Sequence, residues 1–272
     1  MEHEKKIWNA IFAAQARYQE MALNDINNHE KFHIYSIIAH STAIEGSTLT
    51  AHDTQLLFDE GIVAKGKSIT EHLMNLDLKT AYEYALSEAV SKTGITADFL
   101  KHINSLIMKN TGGMHSVPAG NFDTAKGDYR LCGVRAGIDG KSYMDYRKIP
   151  DKMSRLSEEI NKRLEVKGLK DIYNLSFDAH LNLATIHPWA DGNGRTSRLL
   201  MNYIQFYHGI IPTRVHSDDK AKYIEALEKS REIESPVPFR EFMASQHLKT
   251  LRKEINNSVR NQKKTKDFVL LF

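Results

Sequence analysis

A proline, two glycines and two arginines fall within His187 to Arg198, HPWADGNGRTSR, and they dictate a helix end, a turn and a helix start in that order. Pro188 pushes His187 out of the helical region, so the apolar pattern running back through Ile186 and Ala184 must stop there. Gly192 and Gly194 open backbone turns closed to other residues and let an anion approach the main chain. Past them, Leu199, Leu200, Tyr203, Ile204 and Tyr207 repeat at helical spacing until Gly209 and Pro212. A second helix is therefore expected from about Asn193. Its unpaired N–H groups and positive dipole end face the loop, where phosphate binds most readily.

Arg195, Arg198 and Asn202 stand at i, i+3 and i+7, away from the apolar stripe of that helix. Two guanidiniums above a helix N-terminus suit a polyphosphate. Asp191 would repel such an anion unless a cation lay between them, and Mg²⁺, held by a carboxylate plus substrate phosphates, fits there. His187 is the local group able to take a proton near neutral pH. A P-loop is poorly supported, since no Gly-Lys-Ser/Thr ending follows. A metal triad of His180, His187 and Asp191 leaves both arginines unexplained, and His180 reads better as a hydrogen-bonded structural histidine.

HPWADGNGRTSR resembles the Fic signature, HPFxxGNGRxxR with Asp or Glu before the first glycine, departing from it only in Trp189 for Phe. The resemblance implies an all-α Fic fold: a helical core around a central catalytic helix-loop-helix, with a small β-hairpin flap. It implies transfer of AMP from ATP to a hydroxyl side chain of a target protein, a nucleotidyltransferase reaction. In these terms His187 is the general base and Asp191 the Mg²⁺ ligand. Gly192, Asn193 and Gly194 form the phosphate cradle, and Arg195 and Arg198 bind phosphate, the second at the γ position. The reverse reaction, transfer of another nucleotide or phospho-group, and a non-enzymatic ATP-sensing module remain alternatives. Tyr223 is a candidate for the base pocket or the helix core.

Ser41 to Gly46, STAIEG, resembles the inhibitory motif of many Fic domains, with Ser41, Glu45 and Gly46 matching. Lying before the signature, it implies an N-terminal inhibitory helix whose glutamate pairs with Arg198 and blocks the γ-phosphate place. A glutamate extending the stripe of Ile34, Ile37 and Ile38 needs a cation in any case.

Elsewhere the pattern is mainly helical. Amphipathic segments are expected from about Glu4 to Asn27 and Glu30 to Glu45. Thr50 with Asp53 and Ser68 with Glu71 have capping-box spacing, and Thr96 resembles a further cap. Pro150 opens a helix that Gly168 closes, the next runs from about Leu175 to Ile186, and the last from Phe239 to about Asn261. The glycine-rich stretch from Thr111 to Ile138 is expected to be a loop with a short hairpin at Tyr129, Arg130, Leu131, Cys132, Gly133 and Val134. By resemblance this hairpin is the flap that holds a target segment, with Arg130 and Arg135 as solvated charges.

The divisions are then residues 1–30 as a helical extension, 31–262 as the Fic domain with its inhibitory helix at 30–46, flap at 111–138 and catalytic loop at 187–198, and 263–272 as a tail. That tail, DFVLLF, is apolar enough to pack on the body or on another copy. With 272 residues, 41% of them hydrophobic, one large core is within reach. A formal charge of +3 demands neither nucleic acid nor membrane. One cysteine, Cys132, and a charged start without a signal-like apolar run point to the cytoplasm. The expected partners are ATP and an unknown target protein, this protein itself included, with a homo-oligomer left open.

Overall fold

The computed structural model describes residues 2–23, 29–135 and 142–269. Within them are ten α-helices: α1 (Glu2–Glu20), α2 (His29–Ile44), α3 (Ala51–Glu60), α4 (Ile69–Val90), α5 (Ala97–Ile107), α6 (Ile149–Arg163), α7 (Leu169–Ile186), α8 (Asn193–Tyr207), α9 (Lys220–Glu232) and α10 (Val237–Val269). One antiparallel hairpin, β1 (Met114–Val117) with β2 (Gly120–Asp123), lies between α5 and α6. The fold is all-α, as expected. Among the described residues no helix is long and apolar enough to cross a membrane.

Local chemistry sets the boundaries. Thr50 with Asp53 and Ser68 with Glu71 close full capping boxes on α3 and α4, and the Thr96 hydroxyl accepts from Phe99 N at α5. α6 has Pro150 in its first turn, where a missing N–H costs nothing, but it ends at Arg163 rather than Gly168. Gly168 instead precedes α7, which begins well before Leu175 because polar positions such as Asn174 and Asp178 are also buried. The expected first helix stops at Glu20, and Asn24 to Asn27 lie outside the described residues, as do the side chains of the tail.

α7 and α8 form the centre. Leu175, Ala179 and Leu183 of α7 join Leu199, Leu200, Tyr203 and Ile204 of α8 in a core completed by α4, α5 and α6. The opposite side of α7, Tyr173, Phe177 and Leu181, packs with Trp8, Ile11 and Tyr18 of α1 and with Phe239, Met243 and Leu251 of α10. A helix buried on both sides has little freedom to shift, so the loop leaving α7 is rigidly delivered.

α2 is fastened to the segment after α8. His33 Nε2 lies 3.1 Å from Pro212 O, Arg214 Nη1 donates to Ser36 Oγ at 2.6 Å, and His40 Nδ1 lies 2.9 Å from Ser217 Oγ. These contacts place the C-terminal end of α2 over the start of α8.

The hairpin corrects the sequence reading. Pro118 and Ala119 form its two-residue turn, with Val117 paired to Gly120 at φ +133°. Its strands are short and largely exposed, so they carry no apolar alternation. Tyr129 to Gly133 form no ladder. Among the described residues, the pairing beyond them is limited to the Val134 carbonyl accepting from Tyr143 N at 3.0 Å and an isolated Arg135–Ser142 bridge. Arg135 is exposed as expected, whereas Arg130 is not solvated at all: it is 0% exposed.

Candidate active site

α7 ends at Ile186, and His187 takes a left-handed backbone, φ 51° and ψ 60°, with its N–H returned to Leu183 O. The loop from Pro188 to Gly192 is then tied down from several sides. Asn193 Oδ1 accepts from Trp189 N at 3.0 Å and its Nδ2 donates to Trp189 O at 2.8 Å. Trp189 is fully buried, with Nε1 donating to Gly127 O at 3.0 Å. Asn193 therefore shapes the loop through its side chain while also lining the cavity.

Gly192 sits at φ +81°, and a Cβ there would meet Asn104 Nδ2 at 2.6 Å and Met108 Sδ at 3.0 Å. Gly192→Ala is expected to lower stability by about 2 kcal/mol, since both backbone and space oppose it. The check is a denaturant titration, with an unchanged midpoint as the contrary result.

No side chain caps α8, so the N–H groups of its first turn are left to whatever lies in front of them. Glu45 lies there. Its Oε1 is 2.5 Å from where a Gly194 Cβ would stand, and it accepts from Arg198 Nη2 at 2.5 Å. Arg198 is 3% exposed and also donates through Nε to Ser41 Oγ at 2.8 Å and through Nη2 to Ser41 O at 3.0 Å. Tyr223 OH lies 3.4 Å from Arg198 Nη1 and 2.8 Å from His180 Nε2. Gly46, at φ +106°, turns the chain away immediately after the carboxylate.

Burial pushes the Glu45 carboxyl up, but the charge and hydrogen bond of Arg198 outweigh it and hold the group below its ordinary range. Burial likewise opposes the Arg198 charge, and Glu45 more than restores it. A depressed carboxyl keeps its partner until pH falls through its folded-state pKa, so the pair is intact at neutral pH.

Glu45, His187, Gly194 and Arg198 line one cavity of about 460 Å³ with Tyr143, Lys220, Tyr223, Ile224 and Arg231 among its other walls. The His187 imidazole is stacked on Tyr143 at 3.8 Å and 16°. Burial pushes it down to about 4, opposed by a hydrogen bond to the Ala184 backbone, so it is neutral and able to accept a proton at pH 7.

Asp191 and Arg195 stand apart from that wall. The Asp191 side chain is 66% exposed; Oδ1 accepts from Gly192 N at 2.5 Å and faces Arg195 Nη2 at 3.4 Å. Arg195 is buried with Nη2 3.2 Å from Met108 Sδ, and its Nε and Nη1 have no hydrogen-bond partner among the described residues. It does not line the cavity, so the pair of phosphate arginines expected from the sequence is represented there by Arg198 alone. Positions i and i+3 share a helix face, but Arg198 is held by Ser41 and Glu45 of α2 while Arg195 lies against Met108 and Asp191.

Tyr143 carried no signal in the sequence, since its partner is distant in the chain. Asn104 did carry one: it interrupts the apolar positions of α5, is fully buried, and donates to Thr196 Oγ1 at 3.1 Å beneath the loop.

The Fic/DOC family model matches residues 94–205, which include α5, the hairpin, α7, the loop and most of α8. Protein adenylyltransferase Fic of Nematostella vectensis is 30% identical over 201 residues, 73% of this chain and 42% of that protein. The Drosophila melanogaster protein of the same name is 30% identical over 222 residues, 80% of this chain and 41% of its own length. The chain thus spans about two fifths of the curated relatives it matches. A Fic family protein from Desulfovibrio desulfuricans G20 shares the fold with TM-score 0.74 at 21% identity, covering 95% of this chain and 75% of that one. A Fic domain containing signaling protein from Bacteroides thetaiotaomicron gives TM-score 0.70 at 21% identity, over 93% and 96% of the two chains. Signature, helical framework and family match agree that residues 94–205 of this chain form a Fic/DOC domain.

Proposed function

We propose that this protein is an adenylyltransferase that moves AMP from ATP to a hydroxyl side chain of a target protein, itself included, and that Glu45 holds it inactive. The observation that carries the reading is the Glu45 carboxylate on Arg198 at an uncapped helix N-terminus, an anion already seated where a phosphate would bind. The names of the Nematostella and Drosophila relatives support the same reaction.

With Glu45 withdrawn, Arg198 and the first N–H groups of α8 are free to hold polyphosphate. His187 accepts the proton of the incoming hydroxyl as its oxygen bonds to the α-phosphorus; the bond from that phosphorus to the bridging oxygen breaks, and pyrophosphate leaves. Asp191 would hold Mg²⁺. Its carboxylate is exposed, and among the described residues its Oδ2 makes no hydrogen bond and no group of three His, Cys, Asp or Glu side chains could bind a metal. That donor set fits a cation bound chiefly through substrate phosphates, whose charge it would neutralise. The Val134–Tyr143 pairing, rather than Tyr129 to Gly133, is the edge to which a target segment would add. The cytoplasm is the proposed location, on the strength of a single cysteine.

Mass spectrometry of Glu45→Gly protein given ATP and Mg²⁺ tests the reading, with an added AMP on a hydroxyl residue as the expected product. Because the folded-state pKa of His187 is lowered to about 4, its base form dominates above that value. The transfer rate is therefore expected to be flat from about pH 8 down to about pH 5 and to fall only below it. A break near the ordinary histidine value of 6.5 would show that the imidazole is not the buried group described.

A further inference from the structure

Arg130 is a cation with no exposed surface and, among the described residues, no carboxylate in salt-bridge contact. Burial alone pushes its pKa down, and a charge in that position persists only if its N–H groups are well used. They are. Nε donates to His187 O at 2.8 Å, Nη1 to Cys132 O at 2.6 Å and Nη2 to Met144 O at 2.8 Å, while the Arg130 backbone N–H donates to Pro188 O at 3.0 Å. A planar guanidinium can meet three carbonyls at once; an ammonium on a flexible stem cannot reproduce that fan.

The three carbonyls are not equivalent in what they control. That of His187 belongs to a residue held at φ 51°, a backbone region that a side chain with a Cβ adopts only when its surroundings impose it. Those of Cys132 and Met144 flank the Val134–Tyr143 pairing. Tyr143, carried on that pairing, stacks on the His187 ring at 3.8 Å. The main chain of His187 is thus gripped by Arg130, and its imidazole by a ring whose neighbouring carbonyl, that of Met144, Arg130 also grips.

We propose that Arg130 is a positioning residue that joins the His187 turn and the Val134–Tyr143 pairing into one rigid unit, so that proton acceptor and target-holding edge keep a fixed relation. The inference rests on the adenylyltransferase reading above. Arg130 does not itself line the cavity but holds the His187 carbonyl and that of Met144 beside Tyr143, so its loss acts through His187 and Tyr143 rather than on bound nucleotide.

The test compares Arg130→Lys and Arg130→Gln with their parent, all in the Glu45→Gly background. Transfer is measured as labelled AMP incorporation, nucleotide affinity with a fluorescent ATP analogue, and the His187 imidazole by nitrogen-15 NMR titration. The expected result is a fall in kcat of about 30-fold with affinity for the analogue within about threefold, because a small misplacement of a reacting group is costly while the phosphate site is untouched. The His187 resonance is expected to titrate higher than in the parent as the ring gains solvent. Should the buried substitutions unfold the protein, Tyr143→Ala removes the ring contact at the cavity wall and is expected to give the same kcat loss and the same titration shift. Rates within about threefold of the parent, or analogue affinity falling in step with rate, would overturn the proposal. An inactive Glu45→Gly parent would instead defeat the activity reading, while an unchanged His187 titration in the Arg130 variants would defeat this one.

Discussion

His187→Ala, made in the Glu45→Gly background, is expected to lower AMP transfer by about a thousandfold and to leave nucleotide affinity within about threefold. The imidazole is the titratable acceptor in the cavity wall that is neutral at pH 7 and uncommitted to an ion pair, and nothing else there can take a hydroxyl proton as readily. The phosphate side is built from other groups: Arg198, Gly194 and the open start of α8. One complication is the left-handed backbone of residue 187, which alanine tolerates poorly. Asparagine adopts that conformation more readily, so His187→Asn serves as a second variant. Both should bind nucleotide by calorimetry and fail in incorporation of labelled AMP. A variant retaining a tenth of the parent rate would remove His187 as the base.

Glu45→Gly is expected to raise transfer about a hundredfold above wild type. Its carboxylate is one member of a pair whose other member, Arg198, is 3% exposed, and breaking such a pair by deleting one partner typically costs about 3–5 kcal/mol. In the wild type that free energy opposes any ligand that must displace Glu45. In the variant the orphaned Arg198 keeps Ser41 and Tyr223 but lacks a counter-charge, so an anionic ligand is favoured by the same amount. Two measurements follow: a higher incorporation rate, and a larger ATP-induced rise in unfolding temperature for the variant than for wild type. Equal rises in the two proteins would mean that Glu45 does not compete with ATP.

The legible part of the site was the part encoded locally. Pro188, Gly192 and the apolar repeat from Leu199 fix the helix end, turn and helix start by their own backbone preferences, and α8 begins at Asn193 as expected. The link between Glu45 and Arg198 was legible for a different reason: STAIEG resembles the inhibitory motif, which implies that partner, whereas a carboxylate on an apolar stripe requires only some cation. Arg195 and Arg198 looked equivalent because spacing tells which face a residue shares with its neighbours, not which of two elements covers it. Arg130 was misread for the same cause. Its partners are backbone carbonyls at Cys132, Met144 and His187, and a carbonyl has no residue identity in a sequence. The hairpin was misplaced because the extended pattern of Tyr129 to Val134 imitates a strand, whereas the real turn at Pro118 and Ala119 is flanked by two four-residue strands, mostly exposed, of mixed polar and apolar residues with no such rhythm.

Labelling ATP at the α-phosphorus and at the γ-phosphorus in parallel, with Mg²⁺ and the Glu45→Gly protein in a cell lysate, puts the central claim to its most direct trial. An attack assisted by His187 with Arg198 at the leaving end predicts that α-label enters protein, that γ-label does not, and that Glu45→Gly/His187→Ala incorporates neither. Label from the γ position, or α-label that persists without His187, would contradict the account.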